Sequence, residues 1–115
     1  MGFIYTQLMG VSTISTTASM VYANPSYTKT YITSIDVHNT QSSQRVISIF
    51  LVPNNGEVLG IPLSTNQIYK FTIPAFDTVL LESPFPYILD NTNDAIFAES
   101  DGTGVNILCK GSKYV

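Results

Sequence analysis

Between Tyr31 and Gly56 the chain alternates apolar and polar residues in two runs separated by a polar pause. Tyr31, Thr33, Ile35 and Val37 fall at every second position, which places them on one face of an extended segment. Asn39-Thr40-Gln41-Ser42-Ser43-Gln44 breaks the pattern. Val46-Ile47-Ser48-Ile49-Phe50-Leu51-Val52 then resumes it as a β-branched run apolar on both faces, closed by Pro53-Asn54-Asn55-Gly56. Period 2 between turn residues predicts antiparallel strands. A strand apolar on both faces needs cover on both, from a second sheet or from another subunit.

No helical stripe of useful length occurs elsewhere. Gly2 to Met9 reads as a strand. Val11 to Ala23 is rich in Ser, Thr and Ala and suits an edge strand, an extended arm or a loop. Asn24-Pro25-Ser26 interrupts it, because proline removes a ladder donor and disfavours helix before it. Gln67 to Ile73 follows as a strand with Tyr69, Phe71 and Ile73 on one face, then a short strand at Val79 to Glu82 and an extended piece at Pro86 to Asp90. Pro84-Phe85-Pro86 is a rigid connector. Near the C-terminus, Asp94 to Ser100, the turn Asp101-Gly102-Thr103-Gly104 and Val105 to Lys110 read as a hairpin, since Asp-Gly tolerates positive φ. The expected fold is all-β, an antiparallel β-sandwich or jelly roll of roughly seven or eight short strands. It forms a single domain, with 1–28 as an N-terminal strand or arm used in subunit or shell contacts and 29–115 as the sandwich.

Charge changes this picture most. Only 11% of the 115 residues are charged, against roughly 25% in ordinary soluble domains. The surface is therefore built from Ser, Thr, Asn and Gln, or it is covered. Gly2 to Ala23 has no charged residue, so an exposed edge there lacks the Lys or Glu that normally prevents unwanted strand pairing. The expectation is that this segment pairs with another subunit or lies along a neighbour's surface. The net charge of -3 and the scattered Lys29, Arg45, Lys70, Lys110 and Lys113 argue against nucleic acid as a partner. No apolar run approaches the length of a membrane-spanning helix, and no membrane partner is expected. Gly2 and Thr6 satisfy a myristoylation pattern that the aromatic neighbour Phe3 makes unpromising. A secretory signal is not evident.

Candidate chemistry is sparse, and no enzyme, cofactor or metal is expected. Ser34, Asp36 and His38 alternate on one strand face, but no nucleophile elbow accompanies them or Ser42. Asp90-Asn91-Thr92-Asn93-Asp94 has oxygen ligands at alternate positions, yet Ala95 and Asp101 stand where an EF-hand needs Gly and Glu. These residues serve as turn formers, and a surface cation shared with Asp101 is the rival reading. Glu57, Asp77, Glu82 and Glu99 lie beside turns or at strand ends, where solvated charge is the default. Cys109, the single cysteine, falls in the apolar phase of its strand and reads as a small buried hydrophobe. Among the aromatic residues, Phe3, Tyr5, Tyr22, Tyr27 and Tyr87 are the candidate interface anchors.

Five segments carry a resemblance: Ile35-Asp36-Val37-His38-Asn39-Thr40, Phe50-Leu51-Val52-Pro53-Asn54-Asn55-Gly56, Ile73-Pro74-Ala75-Phe76-Asp77-Thr78, Asp94-Ala95-Ile96-Phe97-Ala98-Glu99 and Val105-Asn106-Ile107-Leu108-Cys109-Lys110-Gly111. In this order and spacing they resemble small virion structural proteins of tailed bacteriophages. The resemblance runs from Tyr31 to Gly111 and lies in scaffold and turns, so no functional residue set comes with it. It implies a β-sandwich that oligomerises, located in the virion and partnered by itself and by the major capsid protein or another virion protein. A compact chain without a fibrous part suits capsid decoration, or cement, that stabilises the assembled shell. The alternative is a tail or baseplate component, or a receptor- or carbohydrate-binding module using exposed aromatics such as Tyr87 or Phe85.

Overall fold

The structure, a computed structural model, describes residues 2–114, and for 3–7 the backbone only. Among the described residues nine strands run in chain order: β1 (Phe3–Gln7), β2 (Ser12–Thr13), β3 (Ser19–Ala23), β4 (Lys29–Asn39), β5 (Arg45–Val52), β6 (Gln67–Ile73), β7 (Thr78–Leu89), β8 (Ala95–Ser100) and β9 (Val105–Tyr114). One sheet has the order β1-β9-β4-β7, with β2 beside β9, and the other has the order β3-β8-β5-β6. β1 pairs with Lys110 to Tyr114 and β2 with Asn106 and Ile107, so the two lie end to end along β9 as one broken strand. Counted so, eight antiparallel strands form two four-stranded sheets in jelly-roll order. The sandwich expected from the alternation is what forms.

Successive strands mostly change sheets, and this corrects the expected C-terminal hairpin. β8 pairs with β3 and β5, whereas β9 pairs with β1, β2 and β4. The Asp101–Gly104 turn is pulled apart by its neighbours. The Asp101 N–H donates to the Val46 carbonyl and its Oδ1 accepts from the Val46 N–H, at 3.1 and 2.9 Å, holding this end on the β5 sheet. Gly104 instead accepts from the Thr40 N–H at 3.0 Å, beyond β4 on the opposite sheet.

A slip of register at Thr33 corrects the expected face of β4. Thr30 and Ile32 point inward, as do Ile35, Val37 and Asn39, so Tyr31 and Thr33 do not share a face with Ile35 and Val37. The bulge brings strands so close that a Cβ on Gly111, the partner of Ile32, would strike the Tyr31 carbonyl oxygen. Strict alternation cannot foresee such a bulge. β7 likewise absorbs Pro84-Phe85-Pro86. Its pairing with β4 jumps from Glu82 opposite Ser34 to Tyr87 opposite Ile32, leaving 83–86 as a hump in one long strand rather than a connector between two pieces.

The core between the sheets is aliphatic: Ile32, Ile35 and Val37 from β4 face Ile47 and Ile49 from β5 and Ile96 from β8. Each fully buried isoleucine contributes about 2–3 kcal/mol relative to exposure. The outward face of β5 carries Phe50 and Val52, which pack with Ala95 and Phe97 of β8 and against Ala18 and Ala23. The loop at Gly60 also closes over Val52 and Pro53, leaving no room for a Cβ there. Cover for the second face of β5 therefore comes from the same chain. Residues 2–28 are likewise part of the sandwich, not an arm outside it. They supply β1, β2 and β3, and Leu8, Ile14 and Tyr22 enter the core.

Candidate assembly interface and loop-end cleft

The sheet orders leave four strands at edges, and their chemistry divides by flank. β6 and β7 share one flank. There the Tyr69 and Tyr87 rings meet edge to face at 6.1 Å and the Tyr87 hydroxyl donates to the Tyr69 hydroxyl at 3.1 Å. This hydrogen bond, followed by burial, pushes the Tyr69 phenol up to about 12. Lys70 and Glu82 are exposed on these edges, and the proline-flanked hump interrupts β7. Charge, proline and bulges are the devices that keep an edge from pairing with another chain.

The opposite flank carries β1 with β2 on one sheet and β3 on the other. Residues 14–18 cross between them, tied by the Ser100 N–H donating to the Ser15 carbonyl at 3.0 Å. No charged residue and no proline occurs from Gly2 to Ala23. Val11 and Met20 stand 67% and 45% exposed along this flank, and a one-residue slip at Val21 is the irregularity in β3.

The five aromatic anchors scatter. Phe3 and Tyr5 sit on β1 opposite Tyr114 and Ser112, and their side chains lie outside the described residues. Tyr22 is buried in the core with its hydroxyl 3.3 Å from Thr30 Oγ1, which removes it from any partner's reach. Tyr87 is committed to Tyr69. Of the three whose side chains are described, Tyr27 is the free-standing one, 99% exposed at the tip of the β3–β4 turn. Alternation cannot separate these cases, because a tyrosine at a strand position suits either face.

Two buried asparagines, which sequence reasoning passed over, organise the two loop ends. At one end Asn39 Nδ2 donates to the Ser43, Ile73 and Pro74 carbonyls at 2.8–3.3 Å. At the other, Asn24 Nδ2 donates to the Thr28 and Asn91 carbonyls at 2.7 and 3.1 Å, and Oδ1 accepts from Thr30 Oγ1 at 2.6 Å. Asp94 completes this second hub. Its Oδ1 accepts from the Asn54 N–H and its Oδ2 from the Asn91 N–H, both at 2.9 Å. The Asp90–Asp94 loop thus spends Asp94 as a turn former, and Asp101 lies at the opposite end beside Val46, where it cannot share a cation with it.

Around the Asn24 hub opens a cleft of 390 Å³. Tyr27, Lys29, Asn54, Glu57, Asp90 and Tyr114 line it, together with Asn91 and Thr92. Lys29 Nζ reaches Asp90 Oδ1 at 3.2 Å. On the outer face of the β4 sheet, the Ser34–Asp36–His38 series does not form a relay. Asp36 pairs with Lys110 at 2.9 Å, and His38 Nδ1 lies 2.7 Å from Thr78 Oγ1. Cys109 is fully buried, and burial with the nearby Asp36 charge pushes its thiol up to about 12.

No family model matches the chain, and no curated protein sequence matches it. Among solved structures the fold is similar to a chain from Bacillus endospore appendages, described as forming a novel family of disulfide-linked pili. The TM-score is 0.55 at 10% identity, over 99% of this chain and 88% of that one. The likeness is one of fold.

Proposed function

We propose that this protein is a non-catalytic structural module of a bacteriophage virion, a capsid decoration protein that oligomerises and stabilises the assembled shell. The observation that carries the assembly half of this reading is the uncharged flank, where β1, β2 and β3 end both sheets without a single ionic side chain. A second copy, or a strand of the shell protein, can add to such an edge through main-chain hydrogen bonds. Many copies on a symmetric lattice then gain by avidity, so each contact can be weak. Binding only the assembled shell stabilises it by mass action. The virion half rests on the sequence resemblance over Tyr31 to Gly111. The likeness in fold to an appendage pilus chain supports a role in assembly. Its disulfide linkage has no counterpart through Cys109, which is enclosed in the core.

The test joins sedimentation equilibrium of the purified protein with co-sedimentation on capsids stripped of their small proteins. Self-association and pelleting with shells are expected. A monomer that stays in the supernatant beside stripped capsids, yet binds host cells, would replace this reading with the receptor-binding one.

A further inference from the structure

We infer that the loop-end cleft binds a neutral, hydroxyl-rich carbohydrate, with Tyr27 as its stacking platform. This function goes beyond assembly and does not depend on it. The cleft lies at the loop end, where its Tyr114 is the β9 partner of Phe3 at the start of β1. Its 390 Å³ falls within the roughly 300–1,000 Å³ of small-molecule sites.

Backbone strain converges on this cleft. Four described non-glycine residues have positive φ; two of them line it, Tyr27 at 58° and Glu57 at 71°, and a third, Asn93 at 64°, is hydrogen-bonded to the Glu57 carbonyl. Asparagine tolerates this region, but tyrosine and glutamate do not adopt it without strain. The surrounding hydrogen bonds impose it. Asn24 grips the Thr28 carbonyl, Thr28 Oγ1 donates to the Ser26 carbonyl at 3.2 Å, and Asn93 Nδ2 donates to the Glu57 carbonyl at 2.8 Å. The strained turn thus holds a fully exposed aromatic ring at the rim of a polar hollow, where burial could not reward it.

The lining selects the ligand class. Two tyrosines and no aliphatic side chain argue against an apolar guest. Glu57 and Asp90 outnumber Lys29, which is already paired with Asp90, so phosphate, sulfate and sugar acids are repelled. Sugars present an apolar C–H face that packs on an aromatic ring and an edge of hydroxyls that pairs with carboxylates and amides. Tyr27 offers the first partner. Glu57 and Asn91 offer the second, since no hydrogen bond between described residues engages the carboxylate of one or the carboxamide of the other. The Lys29–Asp90 pair is exposed and contributes little to the fold, so it can turn to ligand hydroxyls.

Titration calorimetry on the full chain with maltohexaose, cellohexaose and chitohexaose, and with hexagalacturonate as the anionic control, tests the proposal. Binding of at least one neutral oligosaccharide is expected at or below about 10 mM, with none for the anionic one. Tyr27→Ala should weaken it about tenfold or more through the lost stack, while Tyr27→Phe should retain it. Thermal melting reports whether these variants fold, and Asn91→Ala, which removes no side-chain hydrogen bond between described residues, should also weaken binding. The proposal falls if no neutral oligosaccharide binds, if Tyr27→Ala and Asn91→Ala bind as the native chain does, or if Tyr27→Ala disturbs self-association alone. The sedimentation of the native chain, which decides the assembly reading, is a separate measurement from these binding outcomes.

Discussion

Along one flank, β6 and β7 end their sheets with Lys70, Glu82 and a proline-flanked hump, while along the other β1, β2 and β3 end theirs with no ionic side chain. Both flanks belong to one sandwich with one core, so core stability does not demand the difference. The first flank is closed by its own side chains, Tyr69 against Tyr87. The second is crossed by residues 14–18, with β1 and β2 paired to β9 and β3 to β8. A flank can be left without charge or proline along its edges when pairing there is wanted. The comparison therefore points to the flank on which the proposed contacts with other chains would form.

The largest effect should come from the strand that supports the uncharged flank. Gly111→Ala places a methyl group against the Tyr31 carbonyl oxygen, and backbone cannot yield as a flexible side chain would. The expected loss is about 3 kcal/mol or more, read by urea denaturation. Hydrogen exchange should rise first in β1, β4 and β9 and last in β6. Uniform loss of protection on both flanks would break the idea that β9 carries one of them.

A second expectation concerns Cys109 on the same strand. Its folded thiol is pushed from an ordinary 9.0 up to about 12, chiefly by burial. Above pH 9 the unfolded chain releases this proton and the folded chain keeps it, so the unfolded state gains. Stability is then full below pH 9 and declines as pH rises towards 12, with a slope approaching about 1.4 kcal/mol per pH unit. By about pH 10.5 the loss reaches roughly 2 kcal/mol. Cys109→Ala should lower stability at neutral pH through the small cavity yet show a shallower alkaline decline. Equal slopes in the two proteins would mean that the thiol does not drive it.

Association supplies the third test. Met20 is exposed on β3, outside the core. Met20→Lys adds to that edge the kind of charge already present on β6. Self-association should weaken about tenfold, equivalent to about 1.4 kcal/mol, with a melting temperature within about 2 °C of the native chain. Lys70→Met, the reverse exchange on the protected flank, should change association less. If both substitutions act alike, the flanks do not differ in function.

The sheets themselves were legible because period-2 alternation at Ile47, Ile49 and Leu51, and at Tyr69, Phe71 and Ile73, is imposed by one buried face and survives any connectivity. Connectivity was not. The Asp101-Gly102 pair suits a tight turn, but hydrogen bonds from Val46 and Thr40, both distant in sequence, open it into a crossing between sheets. The bulge at Thr33 was hidden for a similar reason, since it depends on how closely Gly111 approaches. The absence of charge before Lys29 was visible in the sequence and falls on the flank of β1, β2 and β3, whereas Tyr22 was indistinguishable from a surface tyrosine. The cleft left one trace only, the Asn24-Pro25-Ser26-Tyr27 turn, in which an aromatic occupies a position that favours glycine or asparagine.

The smallest effect belongs to the protected flank. Tyr87→Phe keeps the edge-to-face packing on Tyr69 and deletes only the hydroxyl that donates to it at 3.1 Å. Both groups are near solvent, so water replaces much of what is lost and the fold should weaken by about 0.5–1 kcal/mol. The sharper readout is the Tyr69 phenol, raised to about 12 first by this hydrogen bond and then by burial. With the partner hydroxyl gone, its titration, followed by ring-carbon NMR, should move back towards 10.0. Raised by folding, this phenol also belongs to the groups whose contribution is present below pH 10 and fades above it, so the variant should lose less stability in alkali than the native chain. Self-association should stay as in the native protein, because this clamp faces away from the edges proposed to pair. A Tyr87→Phe protein that dissociates would move the interface to the flank that charge and proline are taken here to protect.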